Sequence, residues 1–196
     1  MPVPNQDEVK ALLAKFETRL RSVVDGAWRE WQEFPLRGRF IFQRRARAVI
    51  VFDFIARLAV AEFDGDPDVR VDVKKQTVHF LFRDQVFLRF KKGNEKGVGS
   101  NIATQAVLDF IDPQGVIPGL VPEIMKIEIV YTPDKIGVGL EEVAVVARGL
   151  QKRIWAYPLD RPSAVIEPMP PRAPDVTPPA VVPRQPAPEE KPLDQE

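Results

Sequence analysis

The chain has 196 residues, no formal net charge and 44% hydrophobic residues, which is near the ordinary globular composition and long enough for one domain with additional segments. It contains no cysteine and one histidine, which excludes disulfides, zinc–thiolate sites and thiol nucleophiles and leaves histidine-type metal sites short of ligands. Because the N-terminus lacks a signal-peptide pattern and no run reaches about 18 apolar residues, we expect a cytoplasmic protein without a membrane span.

Two helices are predicted at the N-terminal end. Apolar residues recur at spacings of three and four from about residue 5 to 33, with Asn5 or Asp7 as the cap. Phe34-Pro35 ends this helix, because a residue before proline is disfavoured in the helical region. A second helix is predicted over about 36–62. Its second half is apolar on nearly all faces, which predicts burial between the first helix and a sheet.

The first half of the second helix is basic. Its arginines, with no acid among them, are Arg37, Arg39, Arg44, Arg45 and Arg47. Because guanidinium groups bind phosphate and carboxylate well, Arg37, Arg44 and Arg45 form a predicted secondary basic patch. A structural alternative is that these arginines pair with Glu17, Glu30 or Glu33 of the first helix.

Strand periodicity follows the helices. Apolar and polar residues alternate in three segments, then in three more after a predicted inserted helix at about 101–111. The strand segments are 69–73, 78–82, 86–90, 126–132, 137–147 and 153–157. The predicted fold class is α+β, with two N-terminal helices packed on a mainly antiparallel sheet of about six strands.

The C-terminal segment has a different composition. From Pro158 onward, 12 of 39 residues are proline, and 7 acidic residues outnumber 4 basic ones. Such a segment buries too little apolar surface to offset the entropy of ordering it. We therefore predict a single domain over 1–157 and a proline-rich disordered tail over 158–196.

A glycine-rich loop between the third strand and the inserted helix is the main predicted site. Cations precede it, Gly93, Gly97 and Gly99 lie in it, and a helix N-terminus, which favours anions, follows. The predicted binding residues are Arg89, Lys91, Lys92, Ser100, Asn101, Thr104 and Gln105. The pattern is neither a P-loop nor a dinucleotide-binding turn. In the alternative interpretation, the glycines serve only to turn the chain and the serine to cap the helix.

Catalytic patterns are sparse. Asp72-Val-Lys74 has the form of a metal-dependent nuclease motif, although such short matches are frequent by chance. His79 alternates with apolar neighbours and is predicted to lie on the polar face of the sheet. Without a second histidine, a cysteine or a Gly-x-Ser-x-Gly elbow, nucleophilic catalysis lacks its usual groups. We predict no catalytic residue, no cofactor and no metal.

Two motifs carry a resemblance. Leu88-Arg-Phe-Lys-Lys-Gly93 followed by Gly99-Ser-Asn-Ile-Ala-Thr-Gln-Ala106 resembles an uncharacterised bacterial family found on mobile elements. The segments Val130-Tyr-Thr132, Val145-Val-Ala147 and Ile154-Trp-Ala-Tyr157 are similar to the closing strands of that family. Its members resemble companions of repressor and metallopeptidase genes in toxin–antitoxin-like operons. The resemblance implies a regulatory or defence-associated partner role and no known reaction.

The sequence thus favours a non-enzymatic interaction module that binds a protein partner through residues 89–105. The alternative is a nucleotide- or nucleic-acid-binding regulator that uses the same loop together with Arg37–Arg47. A metal-dependent nuclease centred on Asp72 and Lys74 is the third hypothesis. The oligomeric state is left open.

Overall fold

The computed structural model describes residues 4–35, 41–74, 77–94, 97–99, 124–149 and 152–161. The described helices are α1 (Gln6–Leu13), α2 (Glu17–Glu33) and α3 (Arg44–Phe63). The strands are β1 (Val69–Lys74), β2 (Thr77–Phe82), β3 (Val86–Lys92), β4 (Met125–Pro133), β5 (Leu140–Gly149) and β6 (Lys152–Pro158). The predicted α+β class with a six-stranded, mainly antiparallel sheet is confirmed.

The first predicted helix is split in two. Asn5 caps α1 as predicted, since its Oδ1 accepts hydrogen bonds from the backbone N–H groups of Asp7 (2.9 Å) and Glu8 (3.2 Å). The prediction of one continuous helix is wrong, because a turn at residues 14–16 separates α1 from α2. No glycine or proline marks this break. It places the Phe16 ring in edge contact with Phe82 (ring centroids 4.9 Å apart), so core packing overrides local helix propensity.

Helix α3 lies beside α2 and not between α2 and the sheet. It contacts β1 and β3, while α2 contacts β5, so the expected sandwiched position is wrong. The buried residues of α3 form one stripe with a spacing of four: Val51, Ile55, Ala59 and Phe63. The opposite face remains open to solvent, with Val49 53% exposed. The nearly all-apolar sequence of this segment therefore predicted more burial of α3 than the structure shows.

The sheet has the strand order β1-β2-β3-β4-β5-β6. All neighbouring pairs are antiparallel except β3 and β4, which are parallel. A parallel pair requires a crossover connection, which residues 93–124 supply here. The parallel arrangement also brings the ends of β3 and β4 to the same end of the sheet, where Lys92 is paired with Tyr131.

The two faces of the sheet carry different residues. Even-numbered positions of β2 and β3, such as Phe80, Phe82, Leu88 and Phe90, join the main core under the helices. On β4 and β5 the odd-numbered positions do so. We call this side the helix face and the other side the second face. The second face is also buried in part: Val130, Ala144 and Val146 form a smaller apolar cluster there.

Two further predictions lie mostly beyond the described residues. The inserted helix at 101–111 falls outside them, as does the tail from residue 162. Pro158 and Leu159, assigned to the tail from sequence, belong to the folded part: Pro158 ends β6, and the N–H of buried Leu159 donates to the Val143 carbonyl (2.8 Å). Among the described helices, none has the length and apolar character needed to cross a bilayer.

Candidate functional site

The three predicted cations of β3 do not share one surface. Successive side chains of a strand alternate between faces. Arg89 and Lys91 therefore lie on the second face, while Lys92 shares the helix face with Phe90. The three cations, which the predicted set of binding residues combined, therefore do not form one surface. Their roles are best considered separately.

Arg89 belongs to a buried charge cluster on the second face. It lies opposite Glu128 in the β3–β4 ladder, and its Nε (3.0 Å) and Nη2 (2.6 Å) both donate to Glu128 Oε1. Arg89 is 6% exposed and Glu128 is fully buried. Arg148 of β5 approaches from the other side, with Nη1 3.7 Å from Glu128 Oε2. We call Arg89, Glu128 and Arg148 the buried charge cluster.

The glycine-rich loop packs onto this cluster. Arg148 Nη1 donates to the Gly99 carbonyl (2.8 Å), and Gly93 and Gly99 form an antiparallel bridge. A Cβ atom added to Gly99 would lie 2.5 Å from Glu128 Oε2, and one added to Gly93 would collide with the Thr132 hydroxyl. Both glycines therefore allow close approach of the loop to β4. Gly93 and Gly99 thus have a structural role, which is close packing and not the chain turning of the alternative interpretation; the predicted cap, Ser100, lies outside the described residues.

Lys91 lies at the margin of the same cluster and is half-buried. Burial lowers the pKa of its amine to about 8, and the positive charge of Arg89 acts in the same direction. Burial also lowers the pKa of Arg89, an effect that Glu128 opposes. Because Arg89 is 6% exposed and paired with Glu128, a partner has no access to its guanidinium group.

Sequence reasoning missed Glu128 and Arg148. The alternation of Lys126-Ile-Glu-Ile-Val130 placed Glu128 on the face opposite the main core, which was visible in advance. The full burial of Glu128 was not visible in advance, because the polar face of a strand is normally exposed to solvent. Only the observed pairing with Arg89 across the parallel ladder identifies the carboxylate as internal.

A second group of cations lies at the other face, where β3 ends beside the start of α3. Burial lowers the pKa of Lys92, and so do the positive charges of Arg47 and Arg44. Arg44 and Arg47 are one turn apart on α3, and Arg45 is exposed next to them. We call Arg44, Arg45, Arg47 and Lys92 the cation cluster. It unites the end of the predicted loop site with the predicted secondary basic patch.

The cation cluster has no acidic counterpart in the described structure. None of the ion pairs found among the described residues includes Arg44, Arg45, Arg47 or Lys92. The expectation that these arginines pair with α2 glutamates is wrong for Arg44, Arg45 and Arg47, because Glu30 pairs with Arg57 farther along α3 (2.5 Å). Among the described residues, no carboxylate forms an ion pair that would relieve the repulsion among these cations.

Five predicted site residues lie outside the described part of the chain. They are Arg37, Ser100, Asn101, Thr104 and Gln105. Their predicted binding role stays a prediction.

The residues of the nuclease hypothesis lie at the β1–β2 edge of the sheet. Asp72 is paired with His79 in the ladder, and the His79 ring contacts the Phe87 ring on the second face (centroids 5.0 Å apart). Within the described ranges there is no group of three or more His, Cys, Asp or Glu side chains arranged to hold a metal ion. No geometric observation supports nuclease chemistry at Asp72.

The chain matches no protein-family model, and comparisons with curated proteins and with solved structures found no match either. The resemblance to the mobile-element family therefore stays a prediction. The buried charge cluster and the cation cluster are the features of the structure that bear on function.

Proposed function

We propose that this protein is a non-enzymatic interaction module that binds an acidic segment of a partner protein on the cation cluster. One observation carries the proposal. Helix α3 packs against β3, and Arg44 and Arg47 of α3 are near enough for their charges to lower the pKa of Lys92 of β3; none of the three forms an ion pair with a described carboxylate. Carboxylates of a partner would replace the mutual repulsion of these groups with charge-assisted hydrogen bonds.

Exposed apolar surface beside the cations favours a protein over a nucleic acid. Val49 lies one turn from Arg45 on α3 and is 53% exposed. Ile41, just before α3, is also exposed. Exposed aliphatic side chains suit contact with another protein. Protein surfaces that bind nucleic acids instead combine cations with stacking aromatic rings or polar groups.

For the biological role and the cellular compartment, the proposal uses the sequence alone. The resemblance implies that this protein itself has a regulatory or defence-associated role as a partner protein. The absence of cysteine suits a reducing compartment, and we place the protein in the cytoplasm. The proline-rich segment from residue 162 onward would act as a second tether, since tethering raises the local concentration of a weakly bound partner.

The test compares two anionic probes that are not themselves the partner. One is a fluorescent glutamate-rich peptide and the other is single-stranded DNA of equal formal charge. Fluorescence anisotropy at about 0.15 M salt gives Kd for the protein and for Arg44→Glu/Arg47→Glu/Lys92→Glu. The matched control is Lys10→Glu/Arg29→Glu/Lys152→Glu, which makes the same change in net charge at three other exposed cations.

We expect the cation-cluster variant to lose at least tenfold in peptide affinity, on the order of 1.4 kcal/mol, and the control to lose little. Tighter binding of DNA than of peptide, with a steep dependence on salt, would instead favour the nucleic-acid alternative. Equal losses in the two variants would refute a specific site, because net charge alone would then explain binding.

A further inference from the structure

The turn between β4 and β5 presents two aliphatic side chains to solvent. Ile136 is 83% exposed and Val138 is 64% exposed. They flank Gly137, whose φ of 72° lies in the left-handed region that favours glycine. We call residues 134–139 the hairpin tip.

The hairpin tip is held in place from several sides. Asp134 accepts hydrogen bonds from the backbone N–H groups of Val138 (2.9 Å) and Gly139 (2.6 Å). From α2, Trp28 Nε1 donates to the Val138 carbonyl (3.3 Å) and Gln32 Nε2 to the Gly137 carbonyl (3.1 Å). The two aliphatic side chains are thus displayed on a fixed backbone. Binding to them would cost little ordering entropy.

The hairpin tip and the cation cluster lie at one end of the sheet. Lys92 is paired with Tyr131, and Ile136 follows five residues later. With strands about 4.8 Å apart and a rise of about 3.3 Å per residue, the Cα atoms of Lys92 and Ile136 are at most about 21 Å apart. The α2 bonds draw the hairpin tip toward the helix side, where Lys92 also lies. A helix of about 15 residues spans such a distance.

We infer that the partner of the cation cluster is an amphipathic acidic segment whose apolar side chains contact Ile136 and Val138 while its carboxylates contact Arg44, Arg47 and Lys92. The inference rests on the proposed function and narrows its partner class. Charge complementarity selects an acidic occupant for one part of the surface. The aliphatic hairpin tip selects apolar residues for the other.

The same surface suits an anionic membrane less well. Side chains that insert at a bilayer interface are typically aromatic, and the hairpin tip, Asp134-Lys-Ile-Gly-Val-Gly139, has no aromatic residue. A protein segment is therefore the occupant that the residues favour.

The test uses two helical peptides of about 16 residues with the same number of glutamates. One carries a leucine stripe at a spacing of three to four, and the other has serine in place of leucine. Kd is measured for the unmodified protein, for Ile136→Ser/Val138→Ser and for the control Val73→Ser/Ile154→Ser, which changes exposed aliphatic residues on β1 and β6. Co-sedimentation with phosphatidylserine vesicles is measured in parallel.

We expect the protein and the control to bind the leucine peptide about tenfold more tightly than the serine peptide. Ile136→Ser/Val138→Ser should remove this preference and keep the affinity for the serine peptide. Equal affinity of the unmodified protein for both peptides would overturn the inference and leave the proposed function intact, whereas failure to bind either peptide would overturn both. Vesicle binding that depends on Ile136 and Val138, without a peptide preference, would assign the hairpin tip to lipid and also overturn the inference.

Discussion

The two charged groups of this protein contain the same residue types in opposite surroundings. In the buried charge cluster, Arg89 and Arg148 surround the fully buried Glu128. In the cation cluster, Arg44 and Arg47 approach Lys92 near the surface, with no acid among the described residues. Strand β3 contributes Arg89 to one group and Lys92 to the other. Two residues three positions apart on one strand therefore have an internal and an external role.

The comparison shows that a positively charged residue indicates a role only when two things are known: the face of the helix or strand on which it lies, and its ion-pair partner. A buried arginine with its carboxylate holds strands in register and is costly to disturb. An exposed arginine without a carboxylate adds little to stability and remains able to bind. The two groups should therefore respond in opposite ways to substitution, with stability sensitive at one and binding at the other.

The largest effect is expected from Glu128→Ala. Loss of this carboxylate removes both hydrogen bonds between the buried Arg89 and Glu128, which should lower the free energy of unfolding by about 3–5 kcal/mol. Urea unfolding followed by circular dichroism measures the change. The exposed Glu141→Ala is the control and should change stability by less than about 0.5 kcal/mol. A loss below about 1 kcal/mol for Glu128→Ala would contradict a structural role for the pair.

Gly99→Ala should come next. Its new methyl group would lie 2.5 Å from Glu128 Oε2 and 2.8 Å from Lys91 Cβ, so the loop must move away from β4. The expected destabilisation is about 1–3 kcal/mol in the same unfolding assay. Gly149→Ala is a matched control, because its Cβ would make an ordinary contact 3.7 Å from Ile154. Equal stability of the two variants would show that the loop is not held against the cluster.

Lys91→Met should change the dependence of stability on pH. Burial holds the pKa of Lys91 at about 8 in the folded protein, below its ordinary 10.5. The unfolded chain thus binds more protons between these values, and stability rises with pH across that window. The variant should be more stable than the unmodified protein below pH 8, with an advantage that shrinks toward pH 10.5. Exposed Lys152→Met serves as control, and a pH-independent advantage for Lys91→Met would oppose this account.

The smallest effect on stability is expected at the cation cluster. Arg44→Gln/Arg47→Gln/Lys92→Gln removes mutual repulsion and breaks no ion pair of the described structure, so unfolding free energy should stay within about 0.5 kcal/mol or rise. Binding of the acidic peptide should fall in the same variant. A stability loss above about 2 kcal/mol would show that these cations hold the fold together.

Much of the architecture was predictable because periodicity is a local property. The alternation in the strand segments gave six strands, and Asn5 and Phe34-Pro35 marked helix ends correctly. The break at Phe16 was not predictable, since it follows from ring contacts with distant residues. The parallel pairing of β3 with β4 also depends on contacts between segments far apart in sequence.

For the candidate site, only some of the residues were predictable from the sequence, and their arrangement was not. The sequence identified Arg44, Arg45 and Lys92 as cations of interest, assigned them to two patches, and joined those patches only in the nucleic-acid alternative. Strand alternation could have separated Lys92 from Arg89 in advance. The approach of Lys92 to Arg44 and Arg47 required the three-dimensional arrangement of α3 over β3, and so did the internal pairing of Glu128.

The most direct test of the central claim is an NMR titration of the ¹⁵N-labelled protein with the leucine-striped acidic peptide. The account predicts that backbone amide shifts concentrate at Arg44, Arg45, Arg47 and Lys92, while the amides of Arg89 and Glu128 stay nearly unchanged. Shifts centred on Arg89, Glu128 and Arg148, or spread evenly over the protein, would contradict the claim that the exposed cations bind the partner.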